Sequence, residues 1–265
     1  HNPESISPHK ELILREDRCV RCGDCAKLCR NAAIREEGGA YVTSRDLCKQ
    51  CGDCTKLCYA EAREIVGYDV TVEELGKEIR KDRVFFEQSG GGVTFSGGEP
   101  FLQHEFLKAA LEMCRQSDFH TTVDTTGFTS AAILEDISPF IDLFLYDLKT
   151  LDDDKHQDYT GVSNRVILEN LRLLSRAGKN VIVRVPVIPG VNDTAEDIDK
   201  IGTFVASLRN IPEIQLLPYH QTGVEKYQRL GLHYAMDRTQ SPTAERMDEI
   251  ARQLGTHVSL VSIGG

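Results

Sequence analysis

The sequence predicts an α/β fold in two parts: a small cysteine-rich unit, then a sheet of parallel strands that is either open or closes as a barrel. Three observations predict it. Eight of the nine cysteines fall between residues 19 and 58, in two copies of one spacing. From residue 67 onward only Cys114 remains, and short apolar runs alternate with helical stretches, which requires crossover connections and a parallel sheet. The chain's 265 residues suffice for one barrel or two small domains with a substantial core. With 41 acidic against 31 basic side chains, the net charge of −10 argues against a general affinity for nucleic acid or anionic membranes. A protein or small-molecule partner is expected instead.

Cys19, Cys22, Cys25 and Cys29 form C-x2-C-x2-C-x3-C. Cys48, Cys51, Cys54 and Cys58 repeat it 29 residues later, with the same Gly-Asp before the third cysteine and the same Lys-Leu before the fourth. This is the bacterial ferredoxin run for two [4Fe–4S] cubanes. Three thiolates two residues apart wrap one corner of a cube, while the next helical turn points the fourth sulfur away, to the partner cluster. Cys19, Cys22, Cys25 and Cys58 are therefore assigned to cluster one, and Cys48, Cys51, Cys54 and Cys29 to cluster two. Structural zinc prefers two close pairs separated by a longer loop. Disulfides need an oxidising compartment, and no signal peptide or transmembrane stretch is visible in the sequence. The proline that usually follows the fourth cysteine is replaced by Arg30 and Tyr59, which changes the exit turn and not the ligand set. Cys114 lies in a helical pattern and is expected to be a core thiol.

The cysteine-rich unit spans residues 15–66. Beyond it, strands are expected at Gly92–Ser96, His120–Asp124, Leu143–Leu148, Val181–Val187, Ile214–Pro218 and Val258–Ser262. Helices are expected between them, at Thr71–Gln88, Phe101–Gln116, Ser130–Ile137, Asn164–Arg176, Thr194–Leu208 and Thr243–Leu254. Ser130, Asn164 and Thr194 mark helix starts as caps.

In such a sheet the chemistry gathers where strands end and loops begin. The Gly97-Gly98-Glu99 turn lets backbone approach a ligand and leaves carbonyls and one carboxylate free to hold an ammonium group; a simple strand-to-helix turn is the alternative. Asp124 and Asp147 lie late in neighbouring strands, where their carboxylates can converge. Two such groups are stable together only with a cation or cationic ligand between them. Each has helix capping as its alternative. Lys149 and Arg184 can equally be rim charges, and His220 a hydrogen-bonded structural residue.

Taken together these motifs resemble one family over the whole chain: the glycyl-radical-enzyme activating enzymes of the radical S-adenosylmethionine (SAM) superfamily, in the branch with a two-cluster ferredoxin insert. The resemblance implies a partial (β/α)6 TIM-like radical SAM barrel, with its first strand missing, at residues 67–265. It makes residues 1–14 a remnant of the SAM-cluster loop, since His1-Asn2-Pro3-Glu4-Ser5 looks like the segment after the family's C-x3-C-x2-C. Gly97, Gly98 and Glu99 would receive the SAM amino group. Asp124 and Thr125, in Asp124-Thr125-Thr126-Gly127, with Asp147 and Lys149 are similar to the strand ends that hold the SAM carboxylate. An associated monovalent cation would take Asp124, Thr125, Asp147 and the Leu145 carbonyl. Arg184 and His220 match further SAM contacts.

No C-x3-C-x2-C stands in these 265 residues. The expectation is a truncated chain that should not itself cleave SAM, the catalytic cysteines lying upstream of His1. With a third [4Fe–4S] cluster and SAM restored, the resemblance implies reductive cleavage of SAM to a 5′-deoxyadenosyl radical, which takes hydrogen from a backbone glycine of a glycyl radical enzyme. A flavodoxin or ferredoxin-type reductant and an anaerobic cytoplasm complete that expectation. Two other classes compete with it. One is an electron-transfer or redox-scaffold protein with a docking barrel, and the other a non-redox hydrolase using Asp124 and Asp147 with a metal.

Overall fold

The computed structural model describes residues 3–5, 9–234, 236 and 238–264; His1 and Asn2, from the segment likened to the family's loop, lie outside the described residues. In chain order the first elements are β1 (Glu11–Leu14), α1 (Asp24–Leu28), β2 (Ile34–Glu37), β3 (Ala40–Thr43), α2 (Asp53–Lys56) and β4 (Arg63–Val66). Then come α3 (Val72–Lys81), α4 (Arg83–Ser89), β5 (Gly92–Phe95), α5 (His104–Gln116), β6 (His120–Thr125), α6 (Ala131–Ile137) and β7 (Leu143–Asp147). The remainder are α7 (Asp153–Thr160), α8 (Arg165–Arg176), β8 (Val181–Val187), α9 (Ala195–Ala206), β9 (Glu213–Pro218), α10 (Thr222–Arg229), α11 (Ala244–Leu254) and β10 (Val261–Ile263).

Two compact units result: His1–Asp69 with Thr222–Asp237, and Val70–Gln221 with Arg238–Gly265. The return of residues 222–237 to the first unit is a feature that sequence reading did not foresee. Arg45 anchors it, donating to the Leu230 carbonyl at 2.9 Å and to the Glu11 carboxylate at 2.7 Å.

The first unit is a folded repeat. β1 pairs antiparallel with β4, and β2 with β3. Adding 29 to β1 gives the limits of β3, and adding 29 to β2 gives those of β4. Equal spacing in sequence has therefore become equal structure.

The second unit holds six strands in the order β10-β9-β8-β7-β6-β5, all parallel, in chain sequence from one edge to the other. This is the expected partial barrel. Alternation along β8 shows how it is built: Val181, Val183, Val185 and Val187 are fully buried, whereas Ile182, Arg184 and Pro186 between them are half-buried. The fully buried face packs on helix residues such as Leu111, Leu134, Leu171, Leu174, Ile198 and Ile250. Burial of each such side chain contributes about 1.5–3 kcal/mol. The opposite face is less buried and carries Arg184 between Ile182 and Pro186.

Ser130 and Thr194 cap α6 and α9, accepting from Ile133 and Asp197 backbone N–H groups. Asn164 does not cap α8. Its backbone is already helical, its side-chain amide donates to the Thr150 carbonyl at 3.0 Å, and its own N–H goes to Asp153 at 2.9 Å. The helix expected at Thr71–Gln88 breaks into α3 and α4 at Asp82, whose backbone closes the first and opens the second. Cys114 is a core thiol, fully buried against Ile79 and Phe119, and burial pushes it up to about 11.

Candidate functional site

Two groups of residues carry chemistry, one in each unit. In the first unit the two cysteine loops share one backbone conformation. Arg21 and Gln50 have φ of 58° and 52°, Gly23 and Gly52 of 78° and 77°, and Ala32 and Glu61 of 48° and 51°. Such left-handed strain in ordinary residues persists only where the surroundings dictate it. Gly23 and Gly52 open α1 and α2, which accounts for the repeated Gly-Asp. After each fourth cysteine a backbone N–H turns back to its sulfur, Ala33 to Cys29 and Ala62 to Cys58, both at 3.3 Å.

The loops enclose two wells. Cys19, Cys22, Cys25 and Cys58 line the first, and Cys48, Cys51, Cys54 and Cys29 the second, with Cys54 bordering both. The first has a cavity of about 170 Å³ and the second about 20 Å³. Among the described residues, no three Cys, His, Asp or Glu side chains converge on a single ion. A cubane asks instead for thiolates spread over four separate irons, and the donor set of each well fits it. Burial pushes Cys54 up to about 11, with Arg63 opposing the rise; a thiol so held gives up its proton most readily to a metal.

In the second unit Asp124 and Asp147 lie at the ends of their strands and Arg184 at the middle of β8. Asp124 on β6, Asp147 on β7 and Arg184 on β8 are neighbours across the register, Asp147 directly opposite Arg184. The Arg184 Nη2 donates to Asp124 and, at 2.9 Å, to Asp147, with Nε at 3.1 Å from the same Asp147 oxygen. The cation demanded by two converging carboxylates is thus the chain's own guanidinium. Burial raises the Asp124 carboxyl above its ordinary value, Arg184 pulls it back and Asp147 adds to the rise. Burial works against the charge on Arg184, and the two carboxylates more than offset it. Lys149 Nζ lies 3.3 Å from Asp147, and Ser96 Oγ donates to Asp124 at 3.1 Å.

Glu99 departs from the expectation of a free carboxylate. Its two oxygens accept from Thr125 Oγ at 2.6 Å, Phe101 N at 3.3 Å, Thr126 N at 2.8 Å and Thr126 Oγ at 2.5 Å. All four donors are neutral, so the carboxylate's charge stays uncompensated while its position is fixed. Gly97 is exposed with φ 150°, and a Cβ there would meet nothing within 4 Å. Leu145 sits opposite Asp124 on β7. His220 is exposed just past β9 and joins none of these hydrogen bonds.

Sequence reasoning missed three supports of this site. Ser96 and Thr126 are noticed only as motif neighbours, yet they hold Asp124 and Glu99. Asn192, 1% exposed, donates to the carbonyls of Lys149 at 2.6 Å and Pro186 at 2.7 Å and so ties the ends of β7 and β8 together. Its only signal is its place after Pro189-Gly190.

The radical SAM superfamily matches residues 53–204. The trans-4-hydroxy-L-proline dehydratase activating enzyme of Clostridioides difficile is 42% identical over 268 residues, covering 100% of this chain and 88% of that protein. The choline trimethylamine-lyase activating enzyme of Oleidesulfovibrio alaskensis is 35% identical, covering 98% and 87%. Among solved structures, a domain of a pyruvate-formate lyase-activating enzyme from Bacteroides vulgatus is 36% identical with a TM-score of 0.57, covering 66% of this chain and 100% of that one.

Proposed function

The chain belongs to the radical SAM superfamily and, within it, to the activating enzymes of glycyl radical enzymes, and from that membership we propose roles for its own residues in SAM binding and electron delivery. The activity is that of an oxidoreductase: SAM and its [4Fe–4S] cluster, when bound, supply a one-electron cleavage whose radical product takes hydrogen from the partner's glycine. The residues that would hold that cluster, a C-x3-C-x2-C, are not among the 265. An electron carrier without SAM chemistry is not favoured by this membership.

The observation that carries the site reading is the joining of the ends of β6 and β7 by Arg184 from the middle of β8, with the fixed charge of Glu99 held by Thr125 and Thr126. SAM has an ammonium and a carboxylate on one carbon. Glu99 and the Gly97-Gly98 backbone would take the ammonium, and Lys149 the carboxylate. Thr125 and His220 are carried as contacts by the resemblance alone. For a monovalent cation, Asp124, Asp147, Thr125 and the Leu145 carbonyl supply the oxygens, but Arg184 would first have to leave the space between the carboxylates.

The two wells would hold two further [4Fe–4S] clusters, in a unit reading approximately as residues 15–66, and these would relay electrons from a flavodoxin or ferredoxin-type reductant. Replacing Cys22 or Cys51 by Ala should then slow reduction of the SAM cluster. Among the described residues no helix is long and apolar enough to cross a membrane; the anaerobic cytoplasm is proposed from the resemblance alone.

Calorimetric titration of the iron–sulfur-loaded protein with SAM tests the site. Binding should weaken at least about tenfold in Glu99→Gln and in Lys149→Met, an order of 1.4 kcal/mol for a lost charge-assisted contact. Unchanged affinity in both would remove the site reading.

A further inference from the structure

The walls of the two wells correspond residue for residue at an offset of 29, apart from Cys54, which borders both. Departures from this symmetry therefore stand out against a common background. On the rim, Val20 answers to Lys49, Arg21 to Gln50 and Tyr59 to Arg30. The charged members of these pairs are all exposed, where water screens them. Only one departure places a charge in the interior. Ile34, 6% exposed, lines the second well, and its counterpart in the first is Arg63, 4% exposed (34 + 29 = 63).

Arg63 makes two hydrogen bonds, to Thr43 Oγ and to the Tyr41 carbonyl, both at 2.6 Å, and both acceptors are neutral. Among the described residues no carboxylate lies within ion-pair distance of it. A buried guanidinium with only neutral partners is costly, and it is retained where an anion shares its surroundings. The well beside it is lined by the four thiols assigned to the first cluster and by Cys54 of the second. A cubane held by four thiolates is an anion, and it gains one more negative charge when reduced.

We propose that Arg63 is the buried counter-ion of the cubane in the first well and holds that cluster's reduction potential above that of the cubane in the second, where Ile34 takes the equivalent place. The inference rests on the reading of each well as a cubane site. A fixed cation favours the more negative, reduced state of its neighbour, and in a low-dielectric interior the effect is large. An electron entering the pair therefore rests on the first cluster. Spacing alone makes the two sites equivalent, and one side chain makes them unequal.

The test is a potential-controlled titration of the cluster-loaded full chain followed by electron paramagnetic resonance. Cys51→Ser and Cys22→Ser backgrounds isolate the first and second clusters. Iron and sulfide analysis comes first, since wild-type protein without two cubanes overturns the reading of the wells itself. With both present, the first cluster should titrate above the second. Arg63→Met should lower the first cluster's reduction equilibrium at least tenfold, about 59 mV for a one-electron step, with a smaller change at the second, and Arg63→Lys should retain most of the difference. If Arg63→Met fails to load iron, the wild-type order decides. Equal potentials, a first cluster below the second, or a larger shift at the second cluster would each overturn the role given to Arg63 while leaving the two cubanes standing.

Discussion

Arg184 and Asp147 face each other across paired strands, with two guanidinium nitrogens 2.9 and 3.1 Å from one carboxylate oxygen. The same guanidinium reaches Asp124 one strand further on. Arg184→Met therefore leaves two partly buried carboxylates facing each other, at a cost of about 3 kcal/mol. Asp124 already has a raised carboxyl, and without Arg184 it should rise further. Protonation then relieves the variant, so its stability is greatest below about pH 3.9 relative to wild type and declines as pH rises through the raised value. Urea unfolding at acid and neutral pH checks this, and a gap from wild type that narrows toward neutral pH would contradict it.

Gly127 is set against Tyr146. A Cβ there would come 1.7 Å from the Tyr146 hydroxyl, and the backbone has φ +72°. That hydroxyl is buried and donates to the Ile167 carbonyl at 2.6 Å, so it has nowhere to retreat. Gly127→Ala should lose about 3 kcal/mol from overpacking and left-handed strain. Because Thr125 and Thr126 directly before Gly127 hold Glu99, SAM affinity should fall too. Thermal unfolding and calorimetry measure the two effects.

The two equivalent glycines of the cysteine loops should not respond equally to alanine. Both have left-handed backbones, worth about 1 kcal/mol each on substitution. At Gly23 the new Cβ would meet the Tyr41 hydroxyl at 2.6 Å, whereas at Gly52 the nearest atom is 3.6 Å away. Gly23→Ala should therefore lower iron content more than Gly52→Ala. Equal losses would show that the contact with Tyr41 is not constraining.

Asp197, 7% exposed, accepts from Thr194 Oγ at 2.6 Å and from Lys155 Nζ at 2.9 and 3.0 Å. Burial works against its charge, but the hydrogen bonds of Thr194 and Lys155, with the Lys155 charge, hold the carboxyl below its ordinary value. Its contribution is thus present above about pH 3.9 and lost as pH falls through the lower folded value. Asp197→Asn should cost about 2 kcal/mol at neutral pH, with the difference from wild type shrinking in acid. Unfolding midpoints at the two pH extremes test the sign.

The parallel strands were legible because each is an apolar run bounded by turn residues, and Val181–Val187 matches to the residue. α7 was not. Its sequence is nearly all polar, and only the Asp152 cap, accepting from Lys155 N at 3.0 Å, marks it. The strands of the cysteine unit are four residues each, too short for a periodic signal. Asp124 and Asp147 could be named as polar residues near strand ends, and Arg184 as a charge carried within a strand. That one cation joins them depends on strand register, which no local pattern encodes. Likewise the offset of 29 was visible at the cysteines, but Arg63 against Ile34 acquires meaning only once both are seen to line equivalent wells.

In the proposed reading the crossed fourth ligand organises the cysteine unit, and an iron count on paired variants tests it. Cys22→Ser with Cys58→Ser removes two ligands from one well and should leave one intact cubane, about four irons. Cys51→Ser with Cys58→Ser removes one ligand from each well and should leave no fully ligated cluster. The reverse result, iron kept by the second pair and lost by the first, would show that each run closes its own cluster and would contradict the account.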